Sequence, residues 1–183
     1  WHQDPRAGEM TFAAAADLDG LIRRARVLME SWREATDSLA SNQDRLRSTP
    51  SISPTLGYVS SGFSSSRLHP LLDMERAHQG VDISAPRGTP IIATANGRVI
   101  SAGRRGNYGI MIEIDHGYGY VSRYAHAAMA YVRPGQWVTR GDTIGEVGST
   151  GLAAGTHVHY EVLVNGRPVN PLDYMLVGEA LTY

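Results

Sequence analysis

His157-Val158-His159 is the stretch of this chain whose residue types and spacing most directly suggest chemistry. Successive side chains of a strand alternate faces, so histidines two apart project together and can address one small object. A metal ion and a water it holds is the natural candidate. The pair lies between a glycine-rich turn, Gly148-Ser149-Thr150-Gly151 through Gly155, and the strand formers Val162-Leu163-Val164. Asn165-Gly166, a dipeptide that favours tight hairpin turns, closes the run. His157, His159, Glu161 and Leu163 then share one face, and Val158, Tyr160, Val162 and Val164 form the core face. An H-x-H pair alone is more often two half-buried polar residues than a metal site. A second cluster, His78-Gln79-Gly80-Val81-Asp82, changes the balance. Gly80 and the nearby Pro86 disfavour a helix there. The expected arrangement is a loop delivering His78 and a strand from about Val81 carrying Asp82. Two imidazoles and a carboxylate make a zinc set with a fourth position open to water, as in catalytic sites. His126 ends the strand-like run Tyr120-Val121-Ser122-Arg123-Tyr124-Ala125. A strand-end histidine is ordinarily a surface residue; beside a zinc site it becomes a candidate acid–base group.

The elements that must position these residues fall into two segments, 1–48 and 49–183. From Ala13 the chain is helical in pattern. Leu18, Leu21, Ala25, Leu28, Trp32, Ala35, Leu39, Asn42 and Leu46 alternate three-four spacing, the heptad seam of a coiled coil. A single helix cannot bury such a stripe. It packs on its own domain, on another copy of the chain or on another helix, and the pattern does not choose among these. Thr49-Pro50-Ser51-Ile52-Ser53-Pro54 ends the helix and marks a boundary. Short β segments follow, at 58–61, 90–93, 97–102, 110–115, 120–126, 137–138, 143–147 and 158–164, separated by turn dipeptides such as Asn96-Gly97 and Pro134-Gly135. Many short strands with regular turns predict a mainly β, antiparallel domain behind a long N-terminal α-helix. Pro171-Leu172-Asp173-Tyr174 reads as one short terminal turn.

Composition narrows the field. The formal net charge of −1 over 183 residues gives no sign of a nucleic-acid partner. There is no cysteine, so a metal must be held by histidine and carboxylate. All 17 basic residues are arginine, which excludes lysine-based covalent chemistry. Val132–Val138 through Gly148 has the character of a lipoyl-type hairpin, but without lysine a prosthetic-group carrier is ruled out. No apolar run would span a bilayer. The first residues do not read as a signal peptide, and the chain does not begin with Met. It is therefore read as part of a longer protein; a signal or membrane anchor could lie upstream, and its absence here says little about location.

H-x-x-x-D at His78 and Asp82, Tyr-x-His at His126, and Gly-Ser-Thr-Gly leading to His157-x-His159 occur in the order of a known family. With Ser61-Gly62-Phe63, Arg67-Leu68-His69-Pro70, Gly141-Asp142 and Gly166-Arg167-Pro168-Val169-Asn170-Pro171, they resemble the lysostaphin/LytM-type zinc endopeptidases, over roughly Pro50 to Tyr174. The resemblance implies a small antiparallel β domain with a long cleft. It implies His78, Asp82 and His159 as zinc ligands, and His126 and His157 as the non-ligand catalytic pair. Zinc lowers the pKa of a water it holds to about 7, and two imidazoles beside it could take and return protons. Glu161, facing as His159 does, would support that ligand or else be an exposed carboxylate. The tyrosine that some members direct at the scissile carbonyl has no identified counterpart. Ser64, Ala127, Ala128, Thr156 and Val158 depart from the family pattern, which bears on cleft shape and not on the metal set. His2, His69 and His116 read as ordinary, His116 lying in a turn after Asp115.

The resemblance implies a peptidoglycan hydrolase. The Gly-Phe and Arg-x-His-Pro flanks and the helix look like envelope proteins of Gram-negative bacteria. That points to a periplasmic, extracytoplasmic protein cutting a D-Ala–diaminopimelate cross-link. The alternative is a coiled-coil regulator that activates or recruits other cell-wall hydrolases. The complete ligand set favours the enzyme.

Overall fold

The computed structural model describes residues 5–68 and 75–175. His2 and His69 lie outside them. The backbone divides into two units between Asp44 and Arg45.

The first unit belongs to helix α1 (Pro5–Ser48). It begins earlier than the heptad pattern predicts, at a proline, which suits the first turn because it has no N–H to leave unsatisfied there. Leu18, Leu21, Leu28, Trp32, Leu39 and Leu46 have exposed side chains, Trp32 at 70%. Arg45 and Arg47 occupy the last turn, where cations complement the helix dipole.

The second unit is mainly β, as the turn spacing predicts. Its strands are β1 (Tyr58–Ser61), β2 (Ser64–Leu68), β3 (Glu75–His78), β4 (Val81–Ser84), β5 (Pro90–Ile92), β6 (Gly97–Arg104) and β7 (Ile110–Gly117). There follow β8 (Tyr120–Ala127), β9 (Met129–Ala130), β10 (Trp137–Val138), β11 (Thr143–Glu146), β12 (His157–Val164) and β13 (Arg167–Val169). An eight-stranded antiparallel sheet runs β1-β4-β12-β8-β7-β6-β10, with β13 also on β12. A three-stranded sheet runs β5-β11-β9, and β2 pairs with β3. His78 therefore closes a short strand rather than sitting in a loop, and His116 lies inside β7 and is buried. Both were hard to read because Glu75-Arg76-Ala77-His78 and Asp115-His116-Gly117 are polar runs without alternation.

The core is gathered mostly from alternate residues. Val158, Tyr160 and Val162 of β12, Tyr124 of β8, and Ile112 and Ile114 of β7 join Val99, Ile91, Ile144 and Val147 in one apolar cluster. A polar chain runs through it. Tyr160 Oη lies 2.9 Å from Thr94 Oγ1, which lies 2.9 Å from Tyr124 Oη. Ser122 Oγ is 3.0 Å from Tyr124 Oη and 2.7 Å from His116 Nε2, and His116 Nδ1 donates to the Asn96 carbonyl at 2.8 Å. Every member has a partner, as buried polar groups require.

Asn165 and Gly166 both adopt positive φ, +50° and +77°, the conformation a tight hairpin turn needs. That turn fixes the return from β12 to β13. At its start the β unit is fastened by the chain just after Asp44. Asn96 N donates to the Arg47 carbonyl at 2.9 Å, Ser51 N to the Thr94 carbonyl at 3.3 Å, and Ile92 N to the Pro54 carbonyl at 2.8 Å.

Candidate metal centre and cleft

Register brings together the candidate donors. His159 on β12 stands directly opposite Asp82 on β4, on the face away from the core. His78 comes from the end of β3, with two residues between it and the start of β4. His78 Nε2 lies 3.0 Å from Asp82 Oδ1, His159 Nδ1 lies 2.8 Å from the same oxygen, and the two nitrogens are 3.1 Å apart. Ligands about 2.0–2.1 Å from a tetrahedral zinc stand about 3.3 Å apart, so the triangle matches that geometry slightly contracted.

The remaining hydrogen bonds make the triangle an electron-rich one. His78 Nδ1 donates to the Gly62 carbonyl at 2.7 Å, which leaves Nε2 as the lone pair of the neutral ring. His159 Nε2 bonds Glu161 Oε1 at 3.0 Å, which leaves Nδ1 as the lone pair of its neutral ring. Two lone pairs and a carboxylate oxygen thus converge on one point that only a cation satisfies. The electrostatics of the three groups agree. Burial opposes the His159 charge, but hydrogen bonds to Asp82 and Glu161 outweigh it and push His159 up to about 9. Burial likewise raises Asp82, yet His159 and His78 hold its carboxyl well below the usual range. Without a metal, a proton fills the demand for positive charge. These three residues are the set among the described residues that could hold a metal ion.

His126 and His157 stand beside this triangle, their ring centroids 4.8 Å apart. His157 Nδ1 donates to the Gly155 carbonyl at 3.0 Å, and its Nε2 is 3.7 Å from Asp82 Oδ1. Strand alternation would send His126 to the core face with Tyr124. A bulge reverses it. Ile110 pairs with Ala127 and Ile112 with Tyr124, so β8 carries one residue more than β7 over this interval. His126 adopts φ +59°, a left-handed conformation that is uncommon outside glycine. Thr150 of the Gly-Ser-Thr-Gly turn holds the bulge. Its carbonyl accepts from His126 Nδ1 at 2.8 Å, and its hydroxyl bridges the Ile110 N–H at 2.9 Å and the Ala127 carbonyl at 2.7 Å. Burial pushes His126 down to about 4, helped by the neighbouring imidazoles, so it is neutral near pH 7.

Glu161, read as either a support for His159 or a surface carboxylate, is 1% exposed. Its Oε1 also accepts from Tyr108 Oη at 2.9 Å, and its Oε2 from Arg123 Nη1 at 3.2 Å. Burial would raise the Glu161 carboxyl, but His159, Tyr108 and Arg123 together hold it below its ordinary value. Tyr108 had no assigned role in the sequence. It ends a 3₁₀ turn (Gly106–Tyr108) and lines the cleft. The signal for it is the glycine pair around Asn107-Tyr108, since Gly109 at φ +66° packs where a Cβ would lie 2.3 Å from the Thr150 carbonyl oxygen. The cleft encloses about 520 Å³, with Ser60, Ser61, Gln79, Asn107 and Leu152 on its walls and the histidines on its floor.

An antiparallel β domain thus carries, at the floor of an open cleft, a His–Asp–His set that could hold a metal ion. Residues 76–171 match the model of peptidase family M23, and the chain belongs to that family. It is 44% identical over 116 residues to the "DD-carboxypeptidase/endopeptidase Mpg" of Neisseria meningitidis serogroup B, covering 63% of this chain and 27% of that protein. It is 40% identical over 114 residues to the "Peptidoglycan DD-endopeptidase ShyA" of Vibrio cholerae, covering 62% of this chain and 26% of that one. A solved zinc-containing peptidase from Vibrio cholerae superposes with a TM-score of 0.61 at 35% identity, over 68% of this chain and 38% of that one. The chain thus spans about a quarter of the length of these two named relatives.

Proposed function

We propose that this protein is a zinc-dependent endopeptidase that hydrolyses peptide cross-links of bacterial peptidoglycan, acting outside the cytoplasm. The observation that carries this reading is the convergence of His78 Nε2, Asp82 Oδ1 and His159 Nδ1 within 3.1 Å of one another at the floor of an open cleft. The relatives named as peptidoglycan DD-endopeptidases support the substrate class. The particular cross-link we propose is the D-Ala–diaminopimelate bond.

His78, Asp82 and His159 would hold the ion, and two imidazole nitrogens with one carboxylate oxygen suit zinc. When bound, zinc supplies Lewis acidity, polarising an amide carbonyl and lowering the pKa of water. The chain's own residues do the rest. His126 and His157 each commit Nδ1–H to a backbone carbonyl, which leaves Nε2 to accept a proton from water and return one to the leaving amine. Tyr108 lines the cleft wall, and its hydroxyl donates to Glu161, so it steadies the partner of His159.

For the N-terminal segment we place the working division between Asp44 and Arg45, rather than at residues 48 and 49. The Arg47 and Ser51 hydrogen bonds to the β unit support this. The exposed seam of α1 suits a helical partner or a second copy of the chain.

The test is digestion of diaminopimelate-type sacculi with and without a chelator, with released peptides identified by mass. Chelator-sensitive loss of cross-linked dimers is expected. Sacculi left intact by the chain and by a form beginning at Arg45 would overturn the reading in favour of a regulator of other hydrolases.

A further inference from the structure

Glu161 Oε1 accepts from His159 and Tyr108, and Oε2 from Arg123. Arg123 is itself held by Glu113, Nε to Oε1 at 2.7 Å, and Glu113 also receives Arg105 Nη1 at 3.3 Å. The order follows the sheet: Glu161 is the register partner of Arg123, and Arg123 of Glu113. The ladder crosses β12, β8 and β7 and ends on a metal donor.

We propose that Arg123 and Glu161 act together as positioning residues that fix the tautomer of His159. Arg123 decides which end of residue 161 faces the imidazole. This rests on the metal-site reading above.

A guanidinium has only donors. The 161 side chain is almost wholly buried, so water cannot substitute for a missing partner. Residue 161 must therefore present an acceptor to Arg123. It must present a second acceptor to His159 Nε2–H if Nδ1 is to keep its lone pair toward Asp82 and His78. Only a carboxylate has acceptors at both ends. An amide has one oxygen and one NH₂. In E161Q the charge on Arg123 claims the oxygen, and the NH₂ turns to His159. Nε2 must then accept, the proton moves to Nδ1, and an N–H points into the metal triangle in place of a lone pair. In the opposite orientation two donors face each other at Arg123.

The double variant E161Q/R123Q separates this account from a loss of packing. A side-chain carbonyl at position 123 can accept from the amide NH₂ of E161Q. The amide oxygen then returns to His159, while the NH₂ at 123 still reaches toward Glu113.

The experiment uses the full chain and zinc alone, in competition with a chelating indicator. The His159 tautomer is read from long-range ¹H–¹⁵N spectra of metal-free protein held at a pH above the value of about 9 to which its imidazole is pushed, where the ring is neutral. E161Q is expected to bind zinc about 10–100-fold more weakly than the unaltered chain, the usual cost of removing an outer partner of a ligating histidine. Its His159 should carry the proton on Nδ1. E161Q/R123Q should bind better than E161Q and return the proton to Nε2, a gain that a poorly folded variant cannot produce. Unchanged affinity in E161Q, or no recovery in the double variant, would overturn the inference and leave the proposed function standing. No zinc binding by the unaltered chain would defeat both.

Discussion

Thr150 holds His126 from two sides: its carbonyl takes the imidazole Nδ1–H, and its hydroxyl stitches the Ile110 N–H to the Ala127 carbonyl across the bulge that turns the ring out. The hydroxyl replaces a ladder bond that the extra residue in β8 has opened. Thr150→Val keeps the shape and removes the stitch. It is expected to cost about 1–3 kcal/mol in urea unfolding, the penalty for leaving buried partners unmet. Turnover should fall while zinc content stays at one ion per chain. If zinc content falls in parallel with turnover, Thr150 supports the metal site as a whole and not His126.

His159 and His157 share a face of β12 but differ in what they meet. His159 Nδ1 is 2.8 Å from Asp82 Oδ1, whereas His157 Nε2 is 3.7 Å from it. His159→Ala should abolish zinc retention after gel filtration. His157→Ala should keep the ion and lose about 10²–10⁴ in rate, the range for a proton-transfer group. Equal zinc loss in the two variants would show that both are ligands.

His116 gives the fold a pH dependence separate from catalysis. Burial pushes its imidazole below the ordinary 6.5, more than the Asn96 hydrogen bond and the Asp115 charge restore. The unfolded chain therefore binds more protons at this site, and stability is lost as pH falls below 6.5 toward the folded value. His116→Gln cannot titrate. Urea midpoints taken at about pH 7.5 and about pH 5 should fall further for the unaltered chain than for the variant. Parallel losses would exonerate His116.

The Arg47 carbonyl caps the Asn96 N–H, and Ser48 is buried. A chain begun at Arg45 should melt as the full chain's β unit does. One begun at Pro50 should still fold but be weaker by about 1 kcal/mol, the net worth of a hydrogen bond. A form begun at Arg45 that lacks a cooperative melt would show that the helix is part of the β unit's core.

The antiparallel β domain and the grouping of His78, Asp82 and His159 were legible because their signals are local. Alternation in His157–Val164 assigns the faces, Asn165-Gly166 assigns the turn, and H-x-x-x-D places Asp82 at the head of a strand. What stayed hidden depends on contacts distant in sequence. The glycines around Asn107-Tyr108 mark a turn, but they do not foretell the bond from Tyr108 to Glu161, 53 residues on. The bulge at His126 exists because Thr150, 24 residues later, completes its bonding. The early start of α1 at Pro5 escaped because Pro5-Arg6-Ala7-Gly8 carries no apolar period.

The polar chain from Tyr160 to His116 has a consequence for how this domain can change over evolution. Neighbouring aliphatic positions such as Val99, Ile112, Ile114 and Val158 can exchange for one another, since cores tolerate swaps that conserve volume. Thr94, Ser122, Tyr124 and Tyr160 have no such freedom, because losing one hydroxyl strands the next in a region water does not reach. They are expected to mutate as a group or not at all, as a password is altered whole while the text around it drifts.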